Sequence, residues 1–276
     1  MNELFTRVTF MAAPFADRLL GWRSSPRRSD GTAKNALSWE WVPNSADVDN
    51  AASLTLAGGV LDELGLPNPN HSDEPPPHVV PASPGGPLEV LVQTHLAEEL
   101  PRLDPSRQWD VRRGVPITAY AQYQHLTGVA QAISQDPNLR VTLGTDYLIT
   151  PDVTVGILGT STLTPHPWLH AAVACKWTIR SDRVQNIRHE NSNMIRHRRG
   201  RLPHLVAVTA EPLPSRLASI ARGTGEVDVT YHIAFNELER TIMQHGGAGQ
   251  REEWEEVTGQ GRLRDFTLIA QTFIDA

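Results

Sequence analysis

The chain has 276 residues, with 31 Asp and Glu against 25 Lys and Arg, 39% apolar residues and one cysteine. That length holds one large domain or two small ones, and the apolar and charged fractions exclude a disordered or fibrous chain. A single cysteine excludes an internal disulfide framework and a cysteine-built zinc site. No apolar run approaches the roughly 20 residues that cross a membrane, and Glu3, Arg7 and Asp17 break the opening segment as a signal peptide, so a cytoplasmic protein without a membrane partner is expected.

In chain order, residues 1–45 show no clear period and hold the turn-rich SSPRRSDGTAKN, which predicts an irregular arm. Residues 51–65 predict a helix weakened by Gly58 and Gly59. The Pro-rich stretch 66–87 reads as a linker and sets a boundary: 1–86 as an N-terminal arm and helix with its linker, 87–276 as the main domain. Leu88, Leu91, Val92, Leu96 and Leu100 recur at three and four, predicting a helix over 88–100. A second helix is expected over 118–135, with Pro137 just past its end. The β-branched run 147–158 predicts a strand pair or one bent strand, with Pro151 near its start. Then come a buried strand (169–179), a polar helix (182–198), a strand (203–209), a short helix (214–221), a strand (226–231) and a helix (232–244) with Phe235, Leu238 and Ile242 on one side. Residues from 246 onward carry no readable pattern. Strands alternating with helices predict an α/β fold, a central mixed sheet flanked by helices.

The net charge of −6 hides an asymmetry. Residues 176–201 contain eight basic side chains and two acids, a local basic face suited to an anionic partner or to plain solvation. Only Lys34 and Lys176 are lysines; every other cation is Arg. A lysine at an interior-looking position then suggests a task that a planar guanidinium performs badly.

No dinucleotide fingerprint, phosphate loop, HExxH or GxSxG is present, and Gly223-Thr224-Gly225 reads as a turn. The informative pair is Asp152, at a strand start, and Lys176, at the end of the next apolar strand. Neighbouring strands bring both to one end of a sheet. There a carboxylate can hold a divalent metal against a phosphate, and a lysine can orient water and offset growing negative charge. The plain alternative is a turn cap and an exposed strand-end cation. An acid two residues before the lysine would complete the usual pattern, but that position is Ala174. Glu190, on the following helix, and Glu89, in the first turn of an earlier one, are the candidates to replace it. Between Lys176 and Glu190, Arg180-Ser181-Asp182-Arg183 has the donors and acceptor for two G·C pairs: Arg to guanine O6 and N7, Asp to cytosine N4. A salt-bridge cluster at a helix start would look the same.

The segments LGTDYLITPDVTV, ACKWTIRSDRVQNIRHE and RGRLPHLVAVTAEPLPSRLASIARGTGEVDVTYH resemble the type II restriction endonucleases that cut sites with a CCGG core, within the PD-(D/E)XK nuclease superfamily. The resemblance covers roughly residues 85–235. It implies a restriction-endonuclease-like core, phosphodiester hydrolysis in double-stranded DNA, two Mg2+ ions per active site, a homodimer or homotetramer, and a cognate methyltransferase encoded elsewhere. By resemblance Asp152 is a metal-binding acid and Lys176 the catalytic lysine. Glu190 and Glu89 are acidic active-site residues, and Cys175 offers a main-chain carbonyl to metal. Arg180, Asp182 and Arg183 read the core; Arg216 and Asp47 read the outer pair, giving G/CCGGC. Ala174 departs from the relative's Ser, the stretch from Asp152 to Lys176 is shorter, and Asp49 and Ala82 fall where polar outer contacts are expected. A catalytically silent DNA-binding protein and a repair nuclease are the alternatives. The four acidic and basic catalytic candidates together oppose the first; the Arg-Ser-Asp-Arg reader opposes the second.

Overall fold

The structure is a computed structural model and describes residues 12–71, 76, 80–81, 83–136, 138, 148–159, 165–223 and 225–276. The N-terminal part forms a one-turn helix α1 (Ala16–Leu19), an antiparallel ribbon of β1 (Trp22–Ser24) and β2 (Trp41–Pro43), and α2 (Ala51–Glu63). Next come α3 (Gly85–Leu103), β3 (Trp109–Arg113), α4 (Leu126–Gln135), β4 (Val153–Ile157), β5 (Trp168–Lys176), α5 (Ser181–His197) and β6 (His204–Thr209). The chain ends with α6 (Pro214–Ala221), β7 (Val229–His232), α7 (Phe235–His245), α8 (Ala248–Gly259), β8 (Leu263–Asp265) and α9 (Ile269–Asp275).

Strands β3 to β8 form one mixed sheet in sequence order. The first three pair antiparallel and the rest parallel. Each parallel step needs a crossover, which α5, α6 and the α7–α8 pair supply. The expected α/β fold with a central mixed sheet flanked by helices is therefore present.

Strand β5 sits inside the sheet, and its small residues let helices lie close on both faces. Its register slips against β4, so that Val155 faces Ala171 while Gly156 faces Leu169. The extra residue, His170, reverses the side-chain alternation. Beyond the slip, Ala171, Val173 and Cys175 join one core with α3, whose Leu88, Val92, Leu96 and Leu100 are fully buried at a spacing of four. Ala172 and Ala174 face the other way, toward α4 and α5, and Lys176 shares their parity.

Two expectations change, and a third resolves to one of its two alternatives. The helix expected over 118–135 begins only at Leu126, after a 3₁₀ turn at Ile117–Ala119. Tyr120 donates to Thr154 Oγ1 (2.6 Å), Tyr123 to the Met194 carbonyl (3.1 Å), and the Gln122 amide bonds both the N–H and the C=O of Leu169 (2.9 and 2.7 Å). One helix cannot aim three such close neighbours at three different elements. Residues 147–158 give a single strand, β4, with residue 147 outside the described residues. The pattern-free tail folds into α8, β8 and α9, burying Trp254, Phe266 and Phe273. Three-residue β8 and seven-residue α9 are too short to display a period.

The expected irregular arm, of which residues 1–11 lie outside the described residues, packs against the sheet from Ala13 onward. Phe15, Leu19, Leu20 and Trp22 share the α3 core, and Trp177 Nε1 donates to the Asn44 carbonyl (3.0 Å). Both sides of the expected 86/87 boundary thus lie in one hydrophobic core.

Helix α2 closes on α7 through Gly59. A Cβ there would clash with Thr241 Cγ2. Gly59→Ala is expected to lower thermal stability by about 1–3 kcal/mol despite the better helix former, because neither helix can retreat from the packed core. In a Thr241→Ser background, which keeps the hydroxyl and deletes that methyl, most of the loss should disappear. Paired melting curves measure both.

Candidate active site

Antiparallel pairing sets Val153 opposite Val173. The residue before β4 and the last residue of β5 therefore emerge at the same sheet edge. Asp152 Oδ2 accepts from the Lys176 ammonium (2.7 Å) and from the Cys175 backbone N–H (2.7 Å). The Cys175 thiol lies in the core on the opposite face, and burial keeps it strongly in the neutral form.

Two more carboxylates surround this pair. Glu89 lies just past the first turn of α3, not within it as expected, because the helix begins at Gly85; it stands 3.4 Å from Arg113 of β3. Its carboxyl is raised above the ordinary range, first by desolvation and then by the charge of Asp152, against the pull of Arg113 and Lys176. Glu190 is on an exposed stretch of α5. It too is raised, chiefly by desolvation from the protein around it, with Lys176 opposing and Asp152 reinforcing the shift. Asp152 and Lys176 thus act on both glutamates. Ala174, where an acid was sought, packs against the apolar cluster that includes Val184 and Ile187 of α5. A small residue there lets the helix cross the strand, and Glu190 follows Ile187 by about one turn.

Among the described residues, no three His, Cys, Asp or Glu side chains are gathered into a ready-made metal cage. The donor set nevertheless suits a hard divalent cation. The charge of Asp152 raises the proton affinity of both glutamates, a repulsion that a cation relieves, and Mg2+ keeps several waters while using only one or two carboxylates.

A groove beside this edge is lined by Asp47, Arg180, Asp182, Gln185, Arg188 and Arg216, with neighbouring serines. Arg180 occupies the extended N-cap position of α5, and Asp182 lies in the first turn; both are exposed. Arg183 turns back instead, its Nη1 donating to the Thr178 carbonyl (2.7 Å) and hydroxyl (3.0 Å). Arg216 stands in the first turn of α6, directly ion-paired with Asp47. Asp47 is held below the carboxylate range chiefly by that hydrogen bond. Its turn is fixed on α2, where its N–H donates to Ser53 Oγ (2.9 Å), and Asp49 donates its own N–H to Asp47 Oδ1 (3.3 Å). Ala82 lies outside the described residues.

Sequence reasoning missed Glu211. It is fully buried just beyond β6, with Oε2 accepting the Ile179 N–H (2.8 Å) and Oε1 the Leu213 N–H (3.1 Å). Arg216 Nη1 stands 3.7 Å from Oε2. The available signal was an acid at the end of an apolar strand, followed at once by a rigid Pro-Leu-Pro.

Comparison with known proteins gives the chain's family. A family model described as the NgoMIV restriction enzyme matches residues 30–162 and 158–271. The type II restriction enzyme NgoMIV of Neisseria gonorrhoeae is 37% identical over 232 residues, covering 73% of this chain and 79% of that protein. The chain belongs to the NgoMIV restriction enzyme family of type II restriction endonucleases.

Burial raises the Glu211 carboxyl from its ordinary 4.5 to about 7, against the backbone bonds of Ile179 and Leu213 and the charge of Arg216. A raised folded value means that this group's stabilisation is complete below about 4.5 and is lost as pH rises through about 7. Glu211→Gln does not titrate. Its stability relative to the parent should therefore improve by about 2–3 kcal/mol between pH 5 and pH 8, read from denaturant unfolding at both pH values.

Proposed function

We propose that this chain cuts duplex DNA at GCCGGC after the first G, using Mg2+. The observation that carries the reading is the meeting of Asp152, Lys176, Glu89 and Glu190 at one sheet edge beside a groove that holds Arg180, Asp182, Arg216 and Asp47.

Asp152 and the Cys175 carbonyl would hold Mg2+, two ions per active site, with Glu89 and Glu190 as the acidic active-site residues beside them. When bound, the cation supplies charge neutralisation at the phosphate and lowers the pKa of adjacent water. Lys176 then turns its ammonium from Asp152 to the attacking oxygen, orienting it and offsetting charge on the phosphate. The carboxylates hold a proton-accepting, strongly negative centre that admits DNA only with its counter-cation.

The reading of sequence is built on α5 and α6. Arg180 and Arg183 each present a two-pronged donor to one guanine of the core, and Asp182 accepts from cytosine amino groups. Arg183 first leaves Thr178. Arg216 and Asp47 already lie side by side, the arrangement needed for the guanine and cytosine of one outer pair. A palindrome has two scissile bonds related by a two-fold axis, so two copies are needed, and pairing of two such dimers gives the proposed tetramer. A methyltransferase of the same specificity would protect host DNA.

Lys176→Ala and Asp152→Ala should abolish cleavage while leaving specific binding measurable in Ca2+; parental cleavage by Lys176→Ala would reject the assignment.

Digestion of an NCCGGN library should cut GCCGGC far faster than ACCGGT. Arg183→Ala should weaken binding to the site by about tenfold to a hundredfold and leave random DNA nearly unaffected. Equal loss on both would make Arg183 a phosphate contact. Binding without cleavage in any divalent cation would favour the silent DNA-binding alternative, and structure-dependent cutting the repair alternative.

A further inference from the structure

We propose that Glu211 is the positioning residue that sets the outer-pair reader at a fixed place relative to the core reader, a role that rests on the recognition reading above. Its carboxylate is fully buried, yet it touches the support of both readers. Through Oε2 it holds the N–H of Ile179, the residue immediately before Arg180, and through Oε1 the N–H of Leu213, the N-cap of the helix that carries Arg216. The same Oε2 faces Arg216 Nη1 from behind (3.7 Å), while the other arm of that guanidinium pairs with Asp47 at the groove.

Three donors converge on two oxygens. Only an acceptor-only group satisfies that set; an amide of the same size has one oxygen and must turn its NH2 toward a donor. The Pro-Leu-Pro before α6 stiffens the chain, but it does not connect α6 to the loop after β5. Glu211 makes that connection. Without its charge, Arg216 keeps a single tether, Asp47, and its fork is no longer held at one angle. A guanidinium with that freedom can grip a nearby phosphate as well as a base edge, and phosphate contacts carry no sequence information. The core readers, which also rest on α5 itself, keep their geometry.

The charged and titratable groups facing Glu211 are Arg216 on α6, Asp47 from the N-terminal segment and, from β7, His232, which burial holds down to about 4 and therefore neutral. The carboxyl titrates near neutrality, so acidification should act on outer-pair reading as the amide substitution does.

The test uses the full chain and a set of NCCGGN and core-scrambled duplexes. Binding is measured in Ca2+ and cleavage in Mg2+, for the parent and for Glu211→Gln, at pH 6, 7 and 8, with folding checked by melting curves. Glu211→Gln should reduce the preference among outer pairs by on the order of tenfold and leave the preference for CCGG over scrambled cores within about twofold. The parental outer preference should grow from pH 6 to pH 8, and that of Glu211→Gln should stay flat. Equal loss of outer and core preference, or a variant that discriminates like the parent at every pH, would overturn the proposal while leaving the recognition reading intact. A parent with no outer preference would overturn the outer-pair reading and this coupling with it. Should Glu211→Gln fail to fold, a parental outer preference that does not change with pH overturns the proposal by itself.

Discussion

One oxygen, Asp152 Oδ2, takes the Cys175 amide and the Lys176 ammonium across the β4–β5 pair, and the functional edge of the molecule depends on that junction. It works only because the two strands run antiparallel in this register, which places the start of one beside the end of the other. The slip at His170 matters equally. Without the extra residue the alternation along β5 would be reversed on one side of the slip, and the residues now split between the α3 and α5 cores would collide with the wrong layer.

The same edge concentrates charge that the chain as a whole does not show. A protein of net charge −6 gathers three carboxylates around Lys176 and sets a basic helix start beside them. Desolvation first, and then the charge of Asp152, raise Glu89 and Glu190, a condition that a divalent cation relieves. The adjacent arginines face an open groove, where a polyanion can replace water as their partner.

Two buried or half-buried carboxylates thus perform parallel tasks at neighbouring positions. Asp152 joins β4 to β5, and Glu211 joins the loop and helix that carry Arg180 and Arg216. In both cases an acid binds backbone N–H groups and a cation at once, which fixes a cation's position more firmly than an exposed ion pair does. The two arginines differ in their attachments. Arg216 lines the groove against Asp47, whereas Arg183 donates to Thr178 and would have to change rotamer to enter the groove.

Much of this was legible in the chain alone. Spacing marked α3, which buries one long face, while continuous apolar runs marked β5 and β6, which are covered on both faces, and a polar stretch between them marked α5. The order of those elements set Asp152 and Lys176 at neighbouring strand ends. Resemblance extended the site to Glu89, Glu190, Asp47 and Arg216. Residues 118–125 misled because side-chain bonds from Tyr120, Gln122 and Tyr123 outweighed helix propensity, and the tail was silent because β8 and α9 are too short to carry a pattern. What sequence by itself determined was the layer order and the residue types available for chemistry, since both follow from local periodicity and side-chain identity. Only the tertiary structure decided that the N-terminal segment brings Asp47 to Arg216, 169 residues away, and that Glu211 lies buried against both Ile179 and Arg216. Such contacts arise from packing between distant segments, where no local period records which carboxylate will be buried against which cation.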